Sequence, residues 1–266
     1  SAASDVYKRQ GYEYQTWNTD DKSKWERRYK SSESVSRNSF LQNFISAENY
    51  YVKNQAYFID PQKLQSWFAE NSQVEYINDT VINVTKDNIV YSLKGERKFD
   101  YIINCGGHKA YKIFKGINKE LDYYHEHSKP VAGSYLELKL NKTKLQFENN
   151  FNLVLGGHHF IHRKDQAVLQ IGSTSENNSA LYLPRLDLLK GIYSQVKNHI
   201  KLEIPEFEAF SAYTGIRHKG HKRMPFMRRV SSNKWAITGL YKNGFSFAFK
   251  GAKDIALEIK QELVKS

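Results

Sequence analysis

The sequence predicts an α+β protein in two parts, an interrupted α/β domain and an antiparallel-sheet domain set into it. Three observations carry that prediction. The stretch Phe99-Asp-Tyr-Ile-Ile-Asn-Cys105 is nearly continuous apolar sequence ending in Gly106-Gly107, as a parallel strand buried on both faces reads. Segments 131–140, 151–161 and 167–172 alternate apolar and polar residues, the pattern of antiparallel strands with one face buried. The chain closes on Lys234-Trp-Ala-Ile-Thr-Gly-Leu-Tyr-Lys-Asn-Gly-Phe245, which reads as a buried strand, a glycine-bearing turn and the start of a long helix.

Taken in order, residues 1–10 (Ser-Ala-Ala-Ser-Asp-Val-Tyr-Lys-Arg-Gln) resemble the translation of a transposon adapter used in sequencing libraries, and are set aside from fold reasoning. On that reading the natural sequence enters in mid-gene near Gly11. Residues 11–50 are polar and aromatic without a firm period, which predicts a charged helix or loop. Asp60-Pro61 is a helix start, an N-cap followed by a residue suited to the first turn; Leu64, Trp67 and Phe68 mark its apolar face and Asn71 its end. Strands are predicted over 75–84, 88–93 and 98–104, with turns at Lys86-Asp87-Asn88 and Lys94-Gly95-Glu96. A helix over about 185–201 follows the alternating segments, and 209–217 and 235–239 are further strands. In the last helix Phe245, Ala248, Phe249, Ala252, Ile255, Ala256, Ile259 and Leu263 recur at three- and four-residue spacing, with Lys253, Glu258, Lys260 and Glu262 on the other face.

Bulk composition narrows the classes. The 266 residues, 40% apolar and 14% aromatic, suffice for one large or two ordinary domains with a substantial core. No run approaches the roughly 18 to 20 apolar residues of a membrane span. Cys105 is the single cysteine, which excludes an internal disulfide and a cysteine-based zinc site and fits a reducing, cytoplasmic setting. The net charge of +12 points to an anionic partner without choosing among nucleic acid, a membrane surface and an acidic substrate.

The turn before the last helix aims a helix N-terminus outward. Backbone N–H groups around Asn243, Gly244 and Phe245, with the positive end of the helix dipole, suit a phosphate, a carboxylate or an anionic ring oxygen. Together with Tyr101-Ile-Ile-Asn-Cys-Gly-Gly107, Ile171-Gly-Ser-Thr174, Tyr213-Thr-Gly-Ile-Arg217 and Pro225, the turn Gly239-Leu-Tyr-Lys-Asn-Gly-Phe245 stands in the order seen in D-amino-acid oxidase and glycine oxidase-like flavoproteins. Residues 50–262 resemble the C-terminal two-thirds of such an enzyme.

The resemblance implies FAD as cofactor. It implies an FAD-binding domain made of 51–110 and 211–266, a substrate-binding domain over 111–210, and 11–50 as part of the substrate domain or a cap. The G-x-G-x-x-G that cradles the pyrophosphate in this family does not occur in the chain, so the expectation is an N-terminally truncated protein whose fragment binds FAD poorly and is inactive. By position, Val81 matches the backbone that meets the adenine, and Cys105, Gly106 and Gly107 match the strand-end loop beside the cofactor. Gly215 and Arg217 match the Gly-x-Arg whose arginine grips the substrate carboxylate with two prongs. Lys242, Asn243, Gly244 and Phe245 match the loop facing the flavin pyrimidine ring, where negative charge gathers on reduction. The chain departs from the family after the arginine. His218-Lys-Gly-His-Lys-Arg-Met-Pro225 is basic and lacks the usual aspartate, and Phe160 stands where some members carry a substrate-binding tyrosine.

The implied activity is oxidation of an amine or amino acid, and secondarily of an alcohol, by hydride transfer to flavin, with the product imine hydrolysed by water. A basic nucleic-acid-binding or tRNA-modifying flavoprotein-like module is the alternative; basic charge and 18 tyrosines favour it, and scattering of those tyrosines through strands weighs against it. His158, His159 and His162 raise a metal site, but alternation on a strand turns His159 away from the other two. His218 and His221 read as charge near an anionic substrate or as surface, and Cys105 as a small packing residue.

Overall fold

The computed structural model describes residues 8–16, 44–46 and 50–264, which fall into two compact units. The first takes the chain up to Glu75 with Ser134–Thr174 and Leu183–Thr214; the second takes Tyr76–Gly133, Ser175–Tyr182 and Gly215–Ser266. Both units are made of separated stretches of chain: 51–75 lie in the first, and 111–133 and 175–182 in the second.

In the first unit, strands β1 (Lys8–Thr16) and β2 (Tyr50–Ile59) pair antiparallel, and β1 runs parallel to β8 (Asn150–Leu155). Gly11–Thr16 are therefore strand, not the helix or loop expected of them, and Lys8–Gln10 extend the same ladder. Backbone pairing asks little of sequence, so the missing periodicity was no guide. The rest of the predicted 17–49 segment, apart from 44–46, lies outside the described residues. The single strand expected over 151–161 is two: β8 turns at Gly156-Gly157, with φ of 56° and 84°, into β9 (His158–Arg163). Two successive left-handed residues suit the tight hairpin and favour glycine. β9 pairs with β10 (Val168–Gly172), and β10 with the Tyr135–Lys139 part of β7 (Lys129–Lys139). Helix α3 (Leu186–Asn198) lays Leu189, Ile192, Tyr193 and Val196 on this sheet, against Leu153, Phe160, Leu169 and Ile171. It stops at Asn198, short of the expected 201, and Ile200 instead bridges to Ile45.

Helix α1 (Pro61–Asn71) matches its sequence bounds, and Asp60 caps it by accepting the N–H groups of Gln62 and Lys63 at 3.0 and 3.1 Å. The same carboxylate accepts from Gln166 Nε2 at 2.6 Å. Asp60→Ala is expected to cost about 1 kcal/mol from the lost cap alone, read as a lower urea midpoint at unchanged slope.

The second unit is where the candidate site lies, and in it β11 (Glu176–Asn177) pairs antiparallel with Val131 and Ala132 of β7. Strands β3 (Val81–Val84), β4 (Ile89–Ser92) and β5 (Gly95–Lys98) form an antiparallel meander. The first is shorter than predicted, because Asn78-Asp79 break it and Asp79 turns back to accept the Thr80 N–H at 2.7 Å. Strand β6 (Ile102–Asn104) runs parallel to β14 (Lys234–Thr238), which pairs antiparallel on its other side with β13 (Phe226–Ser231), a strand not anticipated. β6 is parallel as expected, but it is not buried on both faces: Ile103 is 44% exposed.

β14 is fully buried and divides two cores by alternation. Trp235 and Ile237 meet Ile255 of α4 (Gly244–Leu263), and Trp235 Nε1 donates to Glu258 Oε2 at 2.7 Å. Ala236 joins Phe226, Val230, Leu121 and Tyr124 of α2 (Lys119–Glu126), and Phe114 of the 3-10 segment Gly107–Phe114. Buried Lys234 donates from Nζ to the Lys86 carbonyl at 2.8 Å and to Asn88 Oδ1.

Candidate active site

β6 and β14 are parallel neighbours with Asn104 opposite Ala236, so the segments after both strands leave from one end of the sheet. Ligands in open parallel sheets gather at that end. After β6 come Cys105, Gly106 and Gly107; after β14 come Gly239 to Phe245. Asn104 pins the first segment, accepting the Gly106 N–H at 3.1 Å and donating to the Ala110 carbonyl at 3.0 Å. Gly106 has no room for a side chain, since a Cβ would lie 2.6 Å from that of Ala110, whereas Gly107 (φ 65°) faces open space. Cys105 is exposed, not the packing residue expected, because β6 ends before it. Val81 opens β3, paired with Ser92, and is 39% exposed.

The second segment starts helix α4. Asn243 is its N-cap by backbone only: no side chain caps the helix and no acidic residue stands in the first turn. Nothing lies within 4 Å of the point where a Gly244 Cβ would be, Lys242 is exposed beside it, and Phe245 is 48% exposed. The first N–H groups of α4 and its dipole meet no carboxylate in that turn, and exposed Lys242 precedes them in the chain.

Arg217 comes to this turn through backbone pairing. It lies on β12 (Ser211–Lys219); the carbonyl of His218 accepts the Tyr241 N–H at 3.0 Å, and Lys219 bridges to Leu240. Strand and turn are thereby locked side by side, and the Arg217 charge acts on the Tyr241 hydroxyl. The Arg217 guanidinium rests on Gly133, where a Cβ would meet Nη2 at 2.3 Å. Gly215, two residues earlier, is exposed and opens onto free space.

Two residues depart from their sequence reading. His218 is neither surface nor a source of positive charge. It is 8% exposed, with Nδ1 2.6 Å from Thr238 Oγ1 and Nε2 2.7 Å from Ser128 Oγ. Burial, then the neighbouring His125 and His108, push its pKa down to about 4, so the ring is neutral near pH 7. Alternation on β12 carried the signal: Arg217 and His218 take opposite faces of the strand, and His218 takes the buried one. Tyr241 was passed over. It takes φ 50°, rare for an aromatic residue, and lies within reach of three cations. A cavity of about 830 Å3 in the same unit is walled by His108, Lys112, His125, Lys129 and His218 among others, but neither Arg217 nor Lys242–Phe245 lines it. The three histidines of β9 are engaged by Gln195, Asn152 and the Asn149 carbonyl, and among the described residues no three side chains could hold a metal ion. No helix among those residues is long and apolar enough to cross a membrane.

The uncapped head of α4, with open space at Gly244, suits an anionic group. The chain's fold is that of known flavoenzymes. Glycine oxidase from Bacillus cereus ATCC 14579 superposes with a TM-score of 0.74 at 15% identity, covering 95% of this chain and 74% of that one. L-proline dehydrogenase from P. horikoshii gives 0.72 at 11% identity, with 93% and 72% covered. L-alpha-glycerophosphate oxidase from Mycoplasma pneumoniae, with FAD bound, gives 0.66 at 15% identity, again with 93% and 72%. No curated protein matches the sequence at a significant level. The profile of the DAO family, described as FAD dependent oxidoreductase, matches residues 3–257 and so extends the resemblance well before residue 50. With nearly its whole length matched, the chain belongs to the DAO family of FAD-dependent oxidoreductases.

Proposed function

We propose that the protein oxidises an amine or amino acid, with Arg217 binding the substrate carboxylate and Lys242–Phe245 facing the electron-rich edge of FAD. The observation that supports this best is the Tyr241 N–H to His218 carbonyl bond, because it sets the arginine strand against the turn that opens α4. FAD, when bound, supplies the hydride acceptor. Cys105–Gly107 and the α4 turn are the segments that hold it, and Val81 stands at the adenine end.

The chain's own contribution is alignment and charge. A guanidinium grips a carboxylate through two parallel hydrogen bonds, which fixes the carbon to be oxidised in one orientation. Lys242 and the first N–H groups of α4 are already aimed, so they stabilise gathering negative charge without rearranging. Gly133 provides the floor on which the guanidinium lies flat.

Flavin bleaching in the protein supplied with FAD, under anaerobic conditions and across a panel of amino acids and amines, tests the reading. Arg217→Met is expected to raise the half-saturating concentration of a carboxylate substrate by about ten- to a hundredfold, the worth of charge-assisted hydrogen bonds, with FAD binding unchanged. Gly133→Ala is expected to act in the same direction but less, since the flexible guanidinium can shift, and to leave the melting temperature near its starting value. Equal substrate affinity in Arg217→Met would remove Arg217 from the site.

A further inference from the structure

Beyond the groups assigned above, the site contains a second set of anion-seeking side chains. Arg217 is satisfied by one carboxylate and Lys242 faces the cofactor. That leaves Lys219, Tyr241 and Ser175. The Lys219 ammonium stands 5.8 Å from the centre of the Tyr241 ring and 3.4 Å from Asn177 Oδ1, and Ser175 Oγ lies 3.4 Å from the Tyr241 hydroxyl. Lys242 Nζ approaches the same ring at 5.7 Å. Neither lysine has an ion-pair partner among the described residues. The backbone is bent to make this arrangement: Tyr241 adopts φ 50° and is fixed there by its N–H to the His218 carbonyl. Strained residues held by their surroundings gather at functional sites.

We propose that Tyr241 and Lys219, with Ser175, form a second anion subsite beside Arg217, so that the preferred substrate carries two acidic groups, the second a carboxylate or a phosphate. This rests on the assignment of Arg217 to the first carboxylate. The chemistry is consistent on both sides of the contact. A phenol donates to an anion and an ammonium neutralises it. The Ser175 hydrogen bond, and after it the positive charges of Lys242, Arg217 and Lys219, draw the Tyr241 pKa below the usual tyrosine value against a smaller opposing effect of burial. A hydroxyl made more acidic is a better donor.

Direct binding of acetate, succinate and phosphonoacetate to the purified protein, by calorimetry, tests the subsite without any turnover. Both two-anion probes are expected to bind about tenfold or more tightly than acetate, the stronger of them naming carboxylate or phosphate as the second group. In the near-ultraviolet titration, the phenol step that Tyr241→Phe removes is expected to move to higher pH with succinate bound, because a nearby anion disfavours phenolate. Tyr241→Phe and Lys219→Gln should each reduce the two-anion advantage while acetate binding stays the same. Equal binding of all three probes, or an advantage that survives both substitutions, overturns the subsite and leaves Arg217 in place. If acetate itself fails to bind, or binds equally to Arg217→Met, the assignment of Arg217 falls and the subsite with it.

Discussion

Gly239→Ala is expected to be among the most damaging single substitutions in the chain, costing about 3 to 4 kcal/mol from left-handed strain plus overpacking. Gly239 ends β14 with φ 72°, a conformation that disfavours any Cβ. Here the Cβ would also lie 1.7 Å from the Tyr124 hydroxyl. Tyr124 has no easy retreat. Its hydroxyl donates to the Met224 carbonyl at 2.7 Å and its ring packs on Phe226. A Gly220 Cβ would meet the same hydroxyl at 2.0 Å and the Met224 carbonyl at 2.2 Å. Two glycines thus close around one tyrosine, and burial pushes the pKa of that phenol up to about 12, so it remains a donor at any ordinary pH. Chemical denaturation of Gly239→Ala, Tyr124→Phe and the double variant checks this as a cycle. Removing the hydroxyl should return part of the loss, and a coupling near zero would show that the clash is relieved by backbone movement instead. Because Gly239 also sets the direction of the chain into Lys242–Phe245, weakened anion binding should accompany the loss of stability.

Local chemistry explains which features could be read from the sequence. Asp60-Pro61 fixed the start of α1 to the residue because a cap and a proline act within one turn. The strand, turn and helix from Lys234 to Leu263 were legible for the same reason: continuous burial, a glycine and a long amphipathic period all lie within thirty or so residues. Motif order assigns Arg217 and Gly244 to one site; the backbone pairings in the structure are of His218 with Tyr241 and Lys219 with Leu240. What escaped depends on residues far apart in sequence. Nothing near Gly133 says that an arginine side chain eighty or so positions later will lie on it. Tyr124 gives no local hint that Gly220 and Gly239 enclose its hydroxyl. The hairpin at Gly156-Gly157 was missed although its signal was local, because apolar alternation continues through it and outweighed two adjacent glycines. Tyr241 was missed because its left-handed backbone is imposed by the neighbouring strand, whereas sequence favours glycine or asparagine there.

Acid should destabilise the second unit through His218. The Ser128 hydroxyl donates to the His125 carbonyl at 3.0 Å, so its oxygen is left to accept from His218 Nε2–H, and His218 Nδ1 accepts in turn from the Thr238 hydroxyl. A second ring proton would turn the Thr238 hydroxyl into an acceptor, but it would leave a charge on a ring that is 8% exposed, and burial is the main force against it. The His125 ring stacks 5.6 Å away, itself shifted towards the neutral form chiefly by burial, and a charge on either ring would penalise the other. The sign follows from linkage. Unfolded histidine takes up its proton near pH 6.5 and folded His218 only near pH 4, so between those values the unfolded chain binds more protons and stability falls as pH falls. The contribution is complete above about pH 6.5 and is lost by about pH 4, worth about 3 kcal/mol across the interval, because each tenfold difference in proton affinity between the two states is worth about 1.4 kcal/mol. Burial lowers the pKa of His108 and His162 as well, so they tilt the curve in the same direction. Unfolding free energies measured from pH 7 to pH 4 should therefore decline. His218→Gln, which keeps a donor and an acceptor but cannot titrate, should start lower at pH 7 and decline more gently. A variant slope as steep as that of the original would mean that His218 is protonated in the folded protein. Its ring would then be a fourth cation at the Arg217 strand, and the neutral anchor assigned to it would be wrong.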